Sequence, residues 1–112
     1  MNLTNEINRI LYLLNKREFK KVIKLSEKLI NKKVKNTEVY NLCGLACQNL
    51  GLYEKSIINF QKSIELEKKN YSALNNLALS FKNLDKIRLS EKTYENCLKI
   101  KPDYLMAILN YA

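Results

Sequence analysis

Three cysteines are the side chains that most readily suggest chemistry in this sequence. Cys43 and Cys47 are four residues apart, which would place both thiols on one face of a helix, and Cys97 lies much further along the chain. A structural zinc ion normally takes four Cys or His ligands, and the chain contains no His. A Cys nucleophile would need a neighbouring base, and the most common one, His, is missing from this chain. We expect all three cysteines to pack in the core, with no metal site and no bound cofactor.

Two pairs of glutamates, Glu65 with Glu67 and Glu91 with Glu95, could divide the roles of general acid and general base. Each pair is interleaved with lysines, a pattern typical of a solvated helix face that carries i,i+4 ion pairs. The chain therefore shows no catalytic constellation, and we predict that it is not an enzyme. If the chain is a fragment, a catalytic domain could still lie downstream.

The net charge of +9, from 20 basic and 11 acidic residues, raises nucleic-acid and membrane binding as further functions. The lysines are densest between residues 20 and 35, but they are not interleaved with the exposed aromatic side chains that single-strand binding uses. No apolar segment approaches the ~20 residues of a membrane span, and the N-terminus lacks the pattern of a signal peptide. Three cysteines form no closed disulfide set. We expect a cytoplasmic protein that does not bind membranes, and the sequence argues against a nucleic-acid partner.

Internal repetition sets the positions of these side chains. Residues 37–70 and 71–104 are both 34 residues long and align without a gap. Their matching positions are Tyr40/Leu74, Cys43/Leu77, Gly44/Ala78, Cys47/Phe81, Ser56/Ser90, Phe60/Tyr94 and Ser63/Cys97. The first four pairs are spaced i, i+3, i+4, i+7, which makes one face of a helix, and the last three make a similar face on a second helix. Each copy is therefore predicted to be a pair of helices.

A turn separates the two helices within each copy. Gly51 ends the first helix of one copy, and Asp85, which also tolerates turns, replaces it in the next. Small residues at Gly44 and Ser56 would let the paired helices approach closely, while Phe60 fills the space beside them. Continued along the chain, the pattern predicts an all-α protein of about seven helices, at residues 3–15, 18–31, 37–50, 53–68, 71–84, 87–101 and 103–112.

The two copies resemble the tetratricopeptide repeat, whose signature runs W-x2-L-G-x2-Y, then A-x3-F, then P. They read Tyr40-x2-Cys43-Gly44-x2-Cys47 with Ser56-x3-Phe60, and Leu74-x2-Leu77-Ala78-x2-Phe81 with Ser90-x3-Tyr94 and Pro102. Lys68 stands where the first of these copies would have its Pro. The resemblance implies a right-handed α-solenoid of antiparallel helix pairs with a concave face.

The same frame extends over nearly the whole chain, so we predict one domain, residues 1–112. Residues 3–36 form a weaker first repeat, in which Glu6 and Arg9 occupy places that should be apolar, and residues 105–112 begin a fourth. An apolar set on the final helix would have no second helix to cover it: Met106, Ile108, Leu109 and Tyr111. Either the chain continues in a longer protein, or this end docks on a partner or on a second copy. Self-association through the last helix is thus one expectation.

In this family the first helices of the pairs line the concave wall. The residues facing away from the packed side would be Glu38, Asn41, Leu45, Gln48, Asn49, then Ser72, Asn75, Asn76, Leu79, Lys82, Asn83, and finally Asn110. A carboxamide both donates and accepts, so it can hold a peptide backbone regardless of side-chain sequence. Asn41 and Asn75 are 34 residues apart, as are Asn76 and Asn110, an arrangement similar to the asparagine ladder in the repeat domain of O-linked N-acetylglucosamine transferase. One rung is missing, because Leu42 stands where that ladder would continue. Whether this pattern is functional or reflects the abundance of Asn in the chain stays open.

The leading hypothesis is a protein–protein interaction module that binds a peptide or partner protein through Asn41, Gln48, Asn75, Asn76, Lys82 and Asn83. The resemblance offers an alternative, the N-terminal arm of a larger bacterial transferase, sulfotransferase-like or glycosyltransferase-like, that presents a protein substrate. Chaperone-binding members of the family hold two carboxylates with basic residues and Asn. Ile7, Leu11 and Leu45 stand where that clamp needs polar residues, and Asn76 where it needs a basic one. A receptor for chaperone tails is therefore not expected.

Overall fold

The computed structural model describes residues 2–111, which form seven α-helices. They are α1 Leu3–Asn15, α2 Phe19–Asn31, α3 Thr37–Asn49, α4 Tyr53–Leu66, α5 Tyr71–Asn83, α6 Ile87–Ile100 and α7 Leu105–Tyr111. The predicted all-α chain with seven helices is confirmed. The last helix begins at Leu105 rather than at residue 103, because Pro102 and Asp103 form a turn before it. The predicted end of that helix at Ala112 lies outside the described residues.

The three turns inside the helix pairs share one backbone geometry. Arg17, Gly51 and Asp85 recur every 34 residues and have left-handed φ values of 60°, 77° and 59°. At the middle turn the Leu52 N–H donates to the Cys47 carbonyl at 2.9 Å, the long-range bond of a Schellman motif that ends the first helix. The turns predicted at Gly51 and Asp85 are confirmed, and Arg17 extends the pattern to the first pair.

Asparagine side chains begin the first helix of each complete pair. Asn2, Asn36 and Asn70, again at 34-residue intervals, are the N-cap residues of α1, α3 and α5. Each side-chain oxygen accepts a hydrogen bond from a backbone N–H of the first turn, as Asn36 Oδ1 does from the Val39 N–H at 3.0 Å. Such a cap stabilises a helix by about 1 kcal/mol. Part of the high Asn content therefore serves helix initiation, a role that was not predicted from the sequence.

Within a pair, one glycine lets an aromatic ring lie between the two helices. Phe60 of α4 is completely buried, and its ring lies against Gly44 of α3. A Cβ built on Gly44 would lie 2.6 Å from the ring, closer than two carbon atoms can pack. Tyr94 and Ala78 occupy the same positions in the next pair, and both are buried. The close approach predicted at these small residues is confirmed.

The pairs stack so that their first helices lie closer together than their second helices. α1 contacts α3, α3 contacts α5 and α5 contacts α7, whereas within residues 2–111 no Cα of α2 or α6 comes within 8 Å of one in α4. A stack that is tighter on one side curves toward that side. The first helices therefore line an inner wall, and α2, α4 and α6 form an outer wall. No helix in this described part of the chain has the length and apolar character to cross a bilayer.

The last helix leaves apolar surface uncovered, as predicted. Met106, Ile108 and Leu109 are 54%, 43% and 63% exposed. Tyr111 behaves differently from the prediction, since it is half-buried. Its ring stacks on that of Tyr94 with centroids 5.6 Å apart, and its hydroxyl donates to the Glu95 carboxylate at 2.9 Å. These contacts attach α7 to the second helix of the preceding pair.

Candidate peptide-binding groove

The inner wall carries a largely uncharged strip that crosses successive helices. The side chains of this strip that keep some exposure are Glu38, Asn41, Leu45, Gln48 and Asn49 of α3, and Ser72, Asn76, Leu79, Lys82 and Asn83 of α5. We call this surface, together with Leu11 of α1, the groove. Its charges stand at opposite ends of the helices, with Glu38 near the start of α3 and Lys82 near the end of α5.

A line of leucines runs along the groove. Leu11, Leu45 and Leu79 recur at 34-residue intervals on α1, α3 and α5, and each is half-buried. Ile7 and Leu14 flank the first of them and pack partly against the core. Because equivalent positions of stacked repeats are neighbours in space, the three leucines lie in a row along this wall. Leu45 and Leu79 were predicted to lie on this wall, but the row of leucines was not predicted. The 34-residue spacing of the three leucines would have revealed it.

Asn75 is the predicted groove residue that the structure places elsewhere. Its side chain is only 4% exposed, and its Oδ1 accepts a hydrogen bond from Asn110 Nδ2 at 3.2 Å. α7 therefore covers Asn75 and removes it from the open surface. The equivalent pair one repeat earlier is Asn41 and Asn76. There Asn41 Oδ1 is buried without a hydrogen bond in the described chain, and Asn76 stays half-buried.

Gln48 and Lys82 link neighbouring repeats. Gln48 Nε2 donates two hydrogen bonds, to the Asn76 carbonyl and to Ser80 Oγ, both at 2.8 Å. At the equivalent position of the next repeat, Lys82 Nζ donates to the Asn110 carbonyl at 3.2 Å. Gln48 thus uses both of its amide hydrogens inside the fold, so it can offer a ligand only its carbonyl oxygen.

The groove brings together five of the six predicted ligand-binding residues. Asn41, Gln48, Asn76, Lys82 and Asn83 lie on α3 and α5, and part of each remains exposed. Within residues 2–111 the side chains of Asn76 and Asn83 make no hydrogen bond, so both amides keep unused donors and acceptors.

The three cysteines lie outside the groove and are completely buried in the core, as predicted. A hydrogen bond with Cys47, together with burial, raises the pKa of the Cys43 thiol far above its ordinary value. Burial also raises the pKa of Cys97, whose Sγ donates to the Tyr71 carbonyl at 3.1 Å. The hydrogen bond with Cys43 lowers the pKa of Cys47, but that side chain is completely buried too. The protonated thiols of Cys43 and Cys97 are poor nucleophiles and poor metal ligands. In the part of the chain that the structure describes, no three metal-ligating side chains come together.

The family model described as the tetratricopeptide repeat matches residues 37–70 and 71–104, the two segments that align with each other. The chain belongs to the tetratricopeptide repeat (TPR) family. The matched segments hold the helix pairs α3/α4 and α5/α6, and with them most of the groove. A search of curated protein sequences found no match. TPR scaffold domains are typically non-catalytic, and the comparisons indicate no enzyme family.

Solved structures extend the likeness to nearly the whole chain. The first TPR of Spaghetti (RPAP3) bound to HSP90 peptide SRMEEVD has a TM-score of 0.91 and 14% identity, covering 96% of this chain and 86% of that one. The second TPR domain of human RPAP3, in complex with HSP70 peptide SGPTIEEVD, has a TM-score of 0.90 and 16% sequence identity, and the match covers 95% of this chain and 88% of that one. MamA has a TM-score of 0.92 and 18% sequence identity, and the match covers 98% of this chain and 64% of the MamA chain. These likenesses show the fold, a stack of antiparallel helix pairs.

Proposed function

We propose that this protein is a binding module whose groove holds an extended peptide or a peptide segment of a partner protein. One observation carries the proposal: carboxamides with free hydrogen-bonding groups lie on the same wall as a row of half-buried leucines. An extended peptide presents a polar backbone and alternating side chains, so it needs both kinds of contact at once.

The two kinds of residue have separate roles in this proposal. Asn76 and Asn83 donate to and accept from the peptide backbone, so they hold the ligand without selecting its side chains. Leu11, Leu45 and Leu79 bury apolar side chains of the ligand, and this burial stabilises the complex by roughly 25 cal/mol per Å². Because neither carboxamides nor leucines carry charge, binding should depend only weakly on salt.

The chemistry of the groove argues for a neutral ligand rather than an acidic one. Both RPAP3 domains are bound to peptides that end in EEVD, which carry several carboxylates. Such a ligand needs several basic partners, and the groove offers Lys82, whose Nζ already bonds the Asn110 carbonyl. Leu11 and Leu45 would meet the carboxylates with apolar surface. We therefore propose a ligand with apolar side chains and little net charge.

A double variant tests the groove. Asn76→Ala with Asn83→Ala removes the two free carboxamides and spares Asn75, whose buried bond to Asn110 is structural. The probe is a neutral, leucine-containing peptide selected on a peptide array and followed by fluorescence anisotropy. Losing two backbone hydrogen bonds should weaken binding about 10-fold or more, while the melting temperature stays nearly unchanged.

The matched control replaces two exposed asparagines of the outer wall, Asn31 and Asn96, by Ala. This control should bind the peptide as tightly as the parent chain. Equal losses in the two double variants, or tighter binding of SRMEEVD than of any neutral peptide, would contradict the proposal.

A further inference from the structure

The positive charge of the chain is concentrated in one helix and its flanks. Residues 16–35 contain nine basic and two acidic residues, a net charge of +7 out of the +9 of the whole chain. This segment comprises α2 and the turns on either side of it, on the outer wall. The remaining 92 residues carry a net charge of only +2. The electrostatic field of the protein therefore originates mainly from the first repeat.

Four lysines form an inclined ridge on α2. Lys20, Lys24 and Lys28 lie on the helix and Lys32 is its C-cap residue, and all four are exposed. Because residues four apart are turned by about 40° around the helix axis, the row runs obliquely across the exposed face. Each step rises by about 6 Å along the helix axis, which gives a ridge of about 18 Å. The opposite face of α2 packs into the core, with Val22 completely buried, and this fixes the ridge toward solvent. We call these four residues the lysine ridge.

Both acidic residues of the segment are already paired away from the ridge. Glu18 Oε1 lies 3.0 Å from Lys21 Nζ, and Glu27 Oε2 lies 2.7 Å from Lys55 Nζ of α4. The ion pairs found within residues 2–111 include no lysine of the ridge. Because the neighbouring repeat supplies the partner of Glu27, the ridge keeps its full charge.

Apolar side chains flank the lysine ridge. An open depression of about 740 Å³ extends along the ridge, and Ile23 and Leu25 contribute to its lining. Ile23 is 9% exposed and Leu25 is half-buried, so both lie deeper than the lysine ammonium groups. A partner at this surface would meet positive charge along the ridge, the Glu27 carboxylate and Asn31 beside it, and apolar surface at its edges.

The outer faces of the later repeats lack this single sign of charge. On α4, Lys62 Nζ lies 3.8 Å from Glu65 Oε2. On α6, Glu91 and Glu95 are exposed among the lysines. Mixed charges of this kind give a solvated surface without a preferred partner. The first repeat is thus the part of the outer wall with a distinct electrostatic character.

We propose that the lysine ridge is a docking surface for an acidic helical segment of another protein. Carboxylates placed every four residues on such a helix would match the spacing of the lysines, and apolar residues beside them would cover Ile23 and Leu25. A phosphate backbone would gain nothing from those apolar edges. The aromatic side chain of the segment, Phe19, is half-buried beneath the Arg17 guanidinium, 5.1 Å from its ring, and is not open for stacking on a base. The ridge lies on the outer wall, so it can be occupied while the groove holds its own ligand.

Neutralising the ridge tests the proposal. The triple variant Lys20→Gln, Lys24→Gln, Lys28→Gln removes three charges from α2. The matched control Lys86→Gln, Lys92→Gln, Lys99→Gln removes three exposed charges from α6 and its N-cap. The probe is a synthetic helical peptide with Glu at every fourth position and Leu beside it. By isothermal titration calorimetry, the α2 variant should bind about 10-fold more weakly or worse, and the α6 variant within about 2-fold of the parent chain.

Further arms of the same experiment separate the ligand classes. A scrambled peptide of identical composition should bind clearly more weakly than the designed one. Circular dichroism and the melting temperature check folding, and the single variant Lys24→Glu repeats the test with a smaller change. The proposal is overturned by equal weakening in the α2 and α6 variants, or by an absence of peptide binding at low salt. Tighter binding of single-stranded DNA or of phosphatidylserine vesicles than of the peptide also overturns it.

Discussion

Two equivalent interfaces of the stack, one repeat apart, differ in how completely they are covered. α5 lies over α3 and α4 as a helix of 13 residues, whereas α7 lies over α5 and α6 as a helix of seven. At the first interface Gln48 Nε2 donates to Ser80 Oγ, which lies 2.6 Å from Ser56 Oγ. Ser56 in turn donates to the Tyr53 carbonyl at 2.7 Å. A chain of hydrogen bonds therefore joins three helices across the covered interface.

The second interface leaves the corresponding space open. A cavity of about 210 Å³ lies between α5, α6 and α7, and Lys82, Ser90 and Tyr94 contribute to its lining. Ser90 turns instead to the Ala78 carbonyl at 2.8 Å, and the Tyr94 hydroxyl is buried without a partner among residues 2–111. Ser56 and Ser90 occupy the same repeat position, yet they bond different partners at the two interfaces. Position in the repeat alone does not decide whether a polar side chain is structural.

The largest loss of stability is expected when a methyl group is added at Gly44. That Cβ would lie 2.6 Å from the Phe60 ring, which is completely buried. Overpacking should cost about 1–3 kcal/mol, more than the gain of about 1 kcal/mol in helix propensity, so Gly44→Ala should lower the melting temperature. The reverse change at the equivalent site, Ala78→Gly, should cost about 1 kcal/mol through propensity. A higher melting temperature for Gly44→Ala would show that the close contact does not exist.

A smaller loss is expected when the hydrogen-bond chain of the covered interface is cut. In Ser80→Ala, Gln48 loses one of its two acceptors and Ser56 loses its hydroxyl partner, which should reduce the free energy of unfolding by about 1 kcal/mol in urea denaturation. Ser72→Ala is the control, since Ser72 lies on the same helix, is half-buried and makes no side-chain hydrogen bond in the described chain. It should change stability by less than about 0.5 kcal/mol. Losses of the same size at both serines would count against a structural role for the chain of bonds.

The smallest change in stability at neutral pH is expected from Tyr94 and Cys97 of the second interface. This change becomes larger at alkaline pH. Tyr94 and Cys97 stand where the covered interface has Phe60 and Ser63, and burial raises the pKa of each above its ordinary value of 10.0 or 9.0. Both groups are neutral when protonated, and the folded protein keeps these protons to higher pH than the unfolded chain. Stability should therefore be fully present below pH 9 and fall as the pH rises above it.

The variant Tyr94→Phe with Cys97→Ser gives the second interface the chemistry of the first. Its free energy of unfolding should differ from that of the parent by less than about 1 kcal/mol at pH 7 and should fall less steeply above pH 9. Urea denaturation across this pH range measures both quantities. Identical slopes for parent and variant would mean that these two groups do not titrate differently on folding.

Features that depend on near neighbours in sequence, or that recur at a fixed offset, could be predicted. The helix pairs, the turn at Gly51 and the contact of Phe60 with a small residue are of this kind, because aligning two copies of the repeat reveals them. The burial of Asn75 is different, since it depends on where α7 packs. The hydrogen bonds of Gln48 also could not be predicted. Its acceptor Ser80 belongs to the next repeat, and the equivalent residue one repeat earlier is Ala46, which has no hydroxyl.

The candidate surfaces show the same division. Most of the groove could be read from the repeat, because side chains at one position of successive first helices must lie side by side. That the lysines of the ridge form no ion pair could not be predicted from the sequence, because this depends on Glu27 pairing with Lys55 of the next repeat. Spacing rules within a single helix would instead have paired Glu27 with a lysine of its own helix. Contacts between repeats that are not themselves repeated set the limit of prediction.

The constant offset of the left-handed turns and asparagine caps makes this chain divisible into interchangeable units. A second copy of residues 37–70 inserted after Asn70 would find a capping side chain in front of it and would provide one for the helix that follows. Each insertion would lengthen the binding surface by one helix pair and add one more nearest-neighbour interface, so stability would grow with the number of units. The reach of such a molecule can therefore be adjusted in whole steps of one helix pair, with the turns and the caps unchanged.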